Sequence, residues 1–132
     1  MTWLLDTNAV VALLRGSPSL MAERVSQHNQ AEICISTIVM HKLFFGAFRS
    51  DRVDCNLVRL HSLNFERIAF ETDDALEAAA IRSHLARLGT PIGPYDTLIA
   101  GQARARNLVL VTRNTAEFAR VPDLRMENWE AA

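Results

Sequence analysis

The feature that most limits the possible folds is the opening stretch Trp3-Leu4-Leu5-Asp6-Thr7-Asn8, which continues directly into the apolar run 9–14. A short apolar segment that ends on a carboxylate and passes at once into a helical stretch is typical of a buried parallel strand. Asp6 would then lie at the carboxyl end of this strand, the edge at which open parallel sheets bind ligands. The simpler interpretation is that Asp6 only caps the following helix.

The rest of the chain repeats this alternation of strands and helices. Further apolar strands are predicted at 33–35, 67–70, 108–111 and, more weakly, 124–127. Helices are predicted at about 8–15, 20–28, 36–50, 51–63, 72–88 and 95–106, with a short one ending at 118. Such alternation favours right-handed crossovers and an α/β fold, in which helices cover both faces of a parallel sheet of four to five strands.

Several helix boundaries are marked by residues that suit the position. Ser36 is predicted to cap the helix after the second strand, and the hydroxyl of Thr72 to cap the long helix that follows the third. Gly89 follows the last residue of that long helix, where a left-handed conformation is common.

Composition limits the class of protein. The chain has 132 residues, 49% of them apolar and 22% charged, as expected for a single soluble domain spanning 1–132. No apolar run approaches the roughly 20 residues that span a bilayer, and the N-terminus lacks a signal-peptide pattern. We therefore expect no membrane association and a cytoplasmic location. Cys34 and Cys55 lack metal-ligand spacing and are predicted to be inert core thiols.

The basic residues are unusual in kind, because 13 of the 14 are arginine and Lys42 is the only lysine. The net charge of −1 makes no general case for nucleic-acid binding, although a local arginine face would be hidden in the sum. Arg15, Arg104, Arg106 and Arg113 are candidates for contacts with RNA phosphates, but solvated helix faces explain them equally well.

Polar residues from four separate places are expected to meet at one edge of the sheet. Asp6 and the segment 112–114 follow strands, the helix that begins at Ser36 leaves from the same edge, and Asp96 lies at a helix start that could reach it. A helix cap explains any one of these residues, but it does not easily explain all of them together.

Four segments, in this order, carry a resemblance to a known family. They are Leu5-Asp6-Thr7-Asn8; Ile35-Ser36-Thr37-Ile38 with Phe45-Gly46-Ala47; Gly93-Pro94-Tyr95-Asp96-Thr97-Leu98-Ile99-Ala100; and Val111-Thr112-Arg113-Asn114 with Glu117-Phe118. The chain resembles the PIN-domain family and, within it, the VapC ribonuclease toxins of bacterial type II toxin–antitoxin systems. The resemblance implies a PIN-like three-layer α/β/α fold.

The resemblance also implies an activity and a set of site residues. Relatives are metal-dependent endoribonucleases in which carboxylates hold Mg²⁺ or Mn²⁺, cations that prefer oxygen ligands. Asp6 and Asp96 match the metal-binding acids of the family. Asn114 stands where many relatives have aspartate and would orient the attacking water, whereas Glu117 could supply the missing carboxylate. The supporting residues at these positions are Asn8 and Thr112.

Partners follow from the same resemblance. We expect a VapB-type antitoxin, an RNA substrate that is a tRNA or an rRNA loop, and a homodimer. Within tRNA, initiator tRNA is a possible target. The helices between 36 and 63 carry more apolar residues than a small domain readily hides, namely Phe44, Phe45, Phe48, Leu57 and Leu60. These side chains are expected to form a partner surface, unless all of them belong to the core.

One position departs from the family pattern. The family has a glutamate on the helix after the second strand, in a pattern such as His-Glu-Leu, and this chain has His41-Lys42-Leu43. Either the position has drifted to an exposed basic residue, or the substitution has disarmed a toxic enzyme. We favour the second interpretation and expect the Lys42 ammonium to lie near Asp6 or Asp96. The alternative function is a non-catalytic PIN domain that only binds its antitoxin and RNA.

Overall fold

The computed structural model describes residues 1–131. In this part of the chain five strands alternate with seven α-helices. The strands are β1 (Trp3–Leu5), β2 (Ile33–Ser36), β3 (Glu66–Ile68), β4 (Val109–Val111) and β5 (Met126–Glu127). The helices are α1 (Thr7–Leu14), α2 (Leu20–Ser26), α3 (Thr37–Phe48), α4 (Val53–His61), α5 (Thr72–Arg87), α6 (Pro94–Ala105) and α7 (Thr115–Phe118).

The strands form one parallel sheet in the order β3-β2-β1-β4-β5, flanked by helices. The first strand lies at the centre, where Leu4 pairs with Cys34 on one side and with Leu110 on the other. All three residues are fully buried. The predicted α/β class is therefore confirmed, and the central strand carries Asp6 at its carboxyl end.

Helix caps explain where the helices around the sheet edge begin. The Ser36 hydroxyl accepts a hydrogen bond from the backbone N–H of Ile38, 3.0 Å away, as predicted for the start of α3. The predicted cap of α5 by Thr72 is wrong. The cap is Glu71, whose backbone N–H donates to Asp74 while its own side chain accepts from the helix backbone. This reciprocal arrangement satisfies two amides at once, which a single hydroxyl cannot do.

The hairpin of α5 and α6 depends on two glycines. Gly89 follows the C-terminus of α5 with a φ of +68°, which side chains with a Cβ rarely adopt. Gly101 lies where α6 touches α5, and a Cβ added there would meet the backbone of Ala78 at 2.6 Å. The absence of a side chain at this point lets the two helices pack closely.

The structure corrects one of the cysteine predictions and divides the apolar residues between core and surface. Cys34 is buried as predicted, but Cys55 is exposed on α4 and is not a core thiol. Of the five apolar residues predicted to form a partner surface, Leu60 is buried, while Phe45 and Phe48 are 60% and 64% exposed. No described helix has the length and apolar character needed to cross a membrane.

Candidate active site

Asp6 lies just after β1, is only 3% exposed, and is held by three hydrogen bonds. Its Oδ1 accepts from the backbone N–H of Thr7 at 2.8 Å. Its Oδ2 accepts from the Thr112 hydroxyl at 2.8 Å and from the Asn8 amide at 3.4 Å. The carboxylate therefore caps α1, as the simpler interpretation proposed, and it is also fixed at the sheet edge by Thr112, the residue that follows the neighbouring strand β4.

The turn after β4 is tied to the start of α1 by side chains of the site. Buried Thr112 accepts at its hydroxyl from the backbone N–H of Asn114, 3.0 Å away. Asn8 accepts at Oδ1 from the backbone N–H of Arg113 at 3.3 Å. Asn8 and Thr112 thus hold Asp6 and the 112–114 turn in one hydrogen-bond network.

Asp96 reaches the same place from the first turn of α6, where its side chain is 20% exposed. Burial raises the pKa of its carboxyl, the negative charges of Asp6 and Glu117 raise it further, and the positive charge of Lys42 opposes them. The Lys42 Nζ lies 3.9 Å from Asp96 Oδ1. The ammonium therefore occupies the acidic pocket, as expected from the sequence.

Glu117 accepts a hydrogen bond at each of its two carboxylate oxygens. Its Oε2 accepts from the Asn114 amide at 2.7 Å, and its Oε1 accepts from the backbone N–H of Gly93 at 3.1 Å. The hydrogen bond from Asn114, followed by that from Gly93, lowers the pKa of Glu117. Glu117 therefore joins the residue that caps α6 to the Asn114 turn, and neither of its oxygens is without a donor.

Part of this network lines a pocket of about 330 Å³. The side chains that line it are Asp6, Thr7, Asn8, Val11, Arg15, Lys42, Asp96, Arg113 and Asn114. Thr7 and Val11 were missed by the sequence reasoning. The available signal was helical spacing, because positions 7, 11 and 15, and likewise 8, 11 and 15, are three or four residues apart and so share one face of a helix.

Two of the four candidate arginines lie elsewhere. The guanidinium of Arg104 pairs with Glu77 at 3.3 Å, and that of Arg106 pairs with Asp74 at 2.9 Å. Both pairs connect α6 to α5 and do not line the pocket. Arg15 and Arg113 remain as the arginines at the site.

The donor set with Lys42 in place does not fit a divalent cation. Mg²⁺ and Mn²⁺ prefer several oxygen ligands, but only two carboxylates, those of Asp6 and Asp96, line this pocket. The ammonium of Lys42 lies beside Asp96, where it repels a second cation and offers no ligand oxygen. Among residues 1–131 no three His, Cys, Asp or Glu side chains are grouped to hold a metal ion. The Mg²⁺ or Mn²⁺ site that the resemblance implies therefore stays a prediction, and the residues of the lysine form do not fit it.

Comparison with known proteins identifies the family. The PIN domain model matches residues 3–124. The tRNA(fMet)-specific endonuclease VapC of Salmonella typhimurium is 39% identical over 96% of this chain and 97% of its own length. Ribonuclease VapC2 of Haemophilus influenzae is 32% identical over 96% and 97% of the two chains.

Solved structures agree with the sequence comparison. DNA-bound VapBC from Salmonella typhimurium matches with a TM-score of 0.92 at 38% identity, over 98% of each chain. VapBC-1 from nontypeable Haemophilus influenzae matches with a TM-score of 0.89 at 31% identity, over 99% and 100% of the two chains. By this agreement in sequence and in fold, the chain belongs to the PIN-domain family and, within it, to the VapC proteins.

Proposed function

We propose that this chain is the toxin of a VapBC-type toxin–antitoxin pair, with the architecture of a Mg²⁺- or Mn²⁺-dependent endoribonuclease that acts on tRNA(fMet), and that Lys42 makes it inactive. The observation that carries the proposal is the convergence of Asp6, Asp96 and Asn114 on one pocket from three separate elements. The relative named as a tRNA(fMet)-specific endonuclease supports the choice of substrate.

The chemistry depends on what stands at position 42. With glutamate there, a third carboxylate would join Asp6 and Asp96, and three acids from three elements suit a hard divalent cation. Such an ion supplies the electrophilic stabilisation that hydrolysis of a phosphodiester needs. The residues of this chain supply orientation. Thr112 and Asn8 hold the Asp6 carboxylate by hydrogen bonds, and Glu117 fixes the Asn114 side chain by accepting a hydrogen bond from its amide.

A second function is favoured by the position of Lys42 itself. The ammonium stands 3.9 Å from Asp96 in the pocket that both acids line, so the lysine form would act only by binding its antitoxin and RNA. The two functions differ in whether the chain cleaves RNA, since both of them include RNA binding.

The test is a cleavage assay that compares the chain as it stands with the Lys42→Glu variant on 5′-labelled tRNA(fMet), with Mg²⁺ present. We expect no cleavage by the lysine form and cleavage at least about a hundredfold faster by the glutamate form, the size of effect seen when one electrostatic catalytic group is restored. Mapping the labelled fragments would identify the cleaved loop, or would point instead to an rRNA target.

Two carboxylate controls make this comparison specific. Asp6→Ala in the Lys42→Glu background is expected to abolish cleavage, because it removes a carboxylate of the pocket. Asp73→Ala in the same background removes an exposed carboxylate on α5 and is expected to leave cleavage unchanged. Robust Mg²⁺-dependent cleavage by the lysine form, free of contaminating nuclease, would contradict the proposal.

The proposed partners are a VapB-type antitoxin and a second copy of the chain, both through the face of α3 and α4. Phe45, Phe48 and Val58 are each at least 60% exposed on these helices, and an apolar strip of this kind is typical of a protein interface. VapBC complexes among the matched structures support the antitoxin.

Light scattering tests the dimer. We expect the chain to be dimeric and Phe48→Asp to shift it to the monomer, because a charge on the apolar strip opposes its burial. Leu76→Asp, at a 71% exposed position on α5, is the matched control and is expected to stay dimeric. A monomer in the unmodified chain would refute the dimer.

A further inference from the structure

We propose that this chain binds RNA phosphate at the pocket without any divalent cation, because the Lys42 ammonium supplies the charge that the pocket would otherwise take from a metal ion. The inference rests on the proposed function for the identity of the RNA, but it concerns binding and not cleavage. Because the pocket fits a metal ion poorly, the measurable consequence is RNA binding in the absence of divalent ions.

The first step is the charge of the pocket. Three cationic side chains line it, on Arg15, Lys42 and Arg113, against the two carboxylates of Asp6 and Asp96. The lining therefore has one excess positive charge. Glutamate at position 42 would leave two cations against three anions, which is one excess negative charge. The two forms differ by two units, the charge of one divalent cation, so the lysine form without metal matches the glutamate form with one ion bound.

Acidic residues just outside the lining do not alter this comparison. Glu117 lies beside Asp96, and its oxygens are held by Asn114 and Gly93. Glu130 stands 3.9 Å from the Arg113 guanidinium, too far for a hydrogen bond, and its side chain is 20% exposed. Because both glutamates are present whichever residue stands at 42, the difference of two units remains.

The second step is the availability of the donors. The Arg113 side chain is 58% exposed, and its contact with Glu130 at 3.9 Å is too long for a hydrogen bond. Lys42 is likewise 3.9 Å from Asp96, so its ammonium keeps donors for another acceptor. Arg15 is exposed at the end of α1. All three cations can therefore donate to a ligand without first breaking a short hydrogen bond.

The third step is the match to a nucleic acid backbone. The cations come from the end of α1, the middle of α3 and the turn after β4, three separate elements that line the same pocket. The pocket they share has a volume of about 330 Å³. Three cations at one small pocket suit the neighbouring phosphates of one nucleic acid strand, because contacts of arginine and lysine with phosphates supply much of the affinity for nucleic acids.

The experiment measures binding of fluorescein-labelled tRNA(fMet) by fluorescence anisotropy in EDTA, with the chain as it stands and with Lys42→Glu. We expect the lysine form to bind with the same Kd in EDTA as with Ca²⁺. We expect the glutamate form to bind at least about tenfold more weakly in EDTA, the loss typical of one charge-assisted hydrogen bond, and to recover with Ca²⁺. The effect of Ca²⁺ on the RNA itself cancels when the ratio of Kd in EDTA to Kd in Ca²⁺ is compared between the two forms, because both forms meet the same RNA in the same buffers.

Three further variants identify the groups responsible. Lys42→Met removes the ammonium without adding a carboxylate and is expected to give an intermediate Kd in EDTA. Arg113→Ala is expected to weaken binding and to lower the slope of log K against log salt by about one, as for the loss of one phosphate contact. Arg52→Ala removes an exposed arginine beyond the end of α3, outside the pocket lining, and is expected to change neither quantity.

The outcomes separate this inference from the proposed function. Equal binding by the lysine and glutamate forms in EDTA, or a requirement of the lysine form for divalent ions, would overturn the inference even if the glutamate form cleaves tRNA(fMet). Metal-free binding by the lysine form would support the inference even if the glutamate form never cleaves, a result that would refute the nuclease and leave the binding.

Discussion

The buried ion pair of Asp74 and Arg106 provides a quantitative test of how the α5–α6 hairpin is held. Asp74 is 1% exposed. Arg106 donates to both of its oxygens, from Nε at 3.1 Å and from Nη2 at 2.9 Å, and Nη2 also donates to the Ala69 carbonyl at 2.7 Å. Since α6 carries Asp96 at its other end, this pair helps to fix the helix on which the pocket depends.

The perturbation is Arg106→Met, which keeps most of the side-chain volume but leaves the Asp74 carboxylate without a cation. Breaking a buried pair in this way costs about 3–5 kcal/mol. The Arg106 side chain is 31% exposed, so water compensates part of the loss and we expect about 2–3 kcal/mol. At about 4 °C per kcal/mol for a domain of this size, Tm should fall by about 8–12 °C.

The pH dependence gives an independent check. Burial alone raises the pKa of Asp74, but hydrogen bonds from Arg106 and from the Glu71 backbone, with the Arg106 charge, hold it below the ordinary 3.8. A carboxyl whose pKa is lowered by folding stabilises the fold above its unfolded pKa, and that contribution is lost as pH falls through the folded value. The stability gap between the native chain and Arg106→Met should therefore be full at pH 7 and narrow below about pH 4.

Urea unfolding followed by tryptophan fluorescence at several pH values measures both effects. Arg104→Met is the control, because Arg104 lies on the same helix and pairs with a 36% exposed Glu77 at 3.3 Å. Its loss should cost about 1 kcal/mol or less. A change below about 0.5 kcal/mol for Arg106→Met at pH 7, or a gap that stays constant down to low pH, would refute the reasoning.

Three other predictions concern the pocket and the core. Thr112→Val should destabilise the fold by about 2–3 kcal/mol, because it removes a donor to the buried charge of Asp6; a urea midpoint unchanged from that of the native chain would contradict it. Lys42→Met should raise the pKa of Asp96 further in an NMR titration, since a neighbouring positive charge is removed; an unchanged or lowered pKa would contradict the pairing. Burial raises the pKa of the Cys34 thiol to about 11. A thiol reagent at pH 8 should therefore label only the exposed Cys55 in the native chain, and both cysteines in urea.

Much of the fold could be predicted from the sequence, because the spacing of apolar residues along the chain indicates where the strands and helices lie. The apolar runs of the strands are short and flanked by helical periodicity, so the alternation of elements was visible without any tertiary contact. Ser36 and Gly89 marked helix ends through the chemistry of single residues. The place of Asp6 at the end of the first strand followed from the order of residues alone, and the sheet confirms it.

Other features were decided only by the tertiary structure. Thr112 donates to Asp6 across 106 residues of sequence, and Glu117 accepts from Gly93 across 24. These contacts depend on the register of the strands and the rotation of each helix about its axis, which no local pattern encodes. The same rotation places the Lys42 ammonium 3.9 Å from Asp96. The sequence by itself determined the elements and the residue types at their ends. The packing of those elements determined which charges meet, because electrostatic interactions depend on distances that only the folded chain defines.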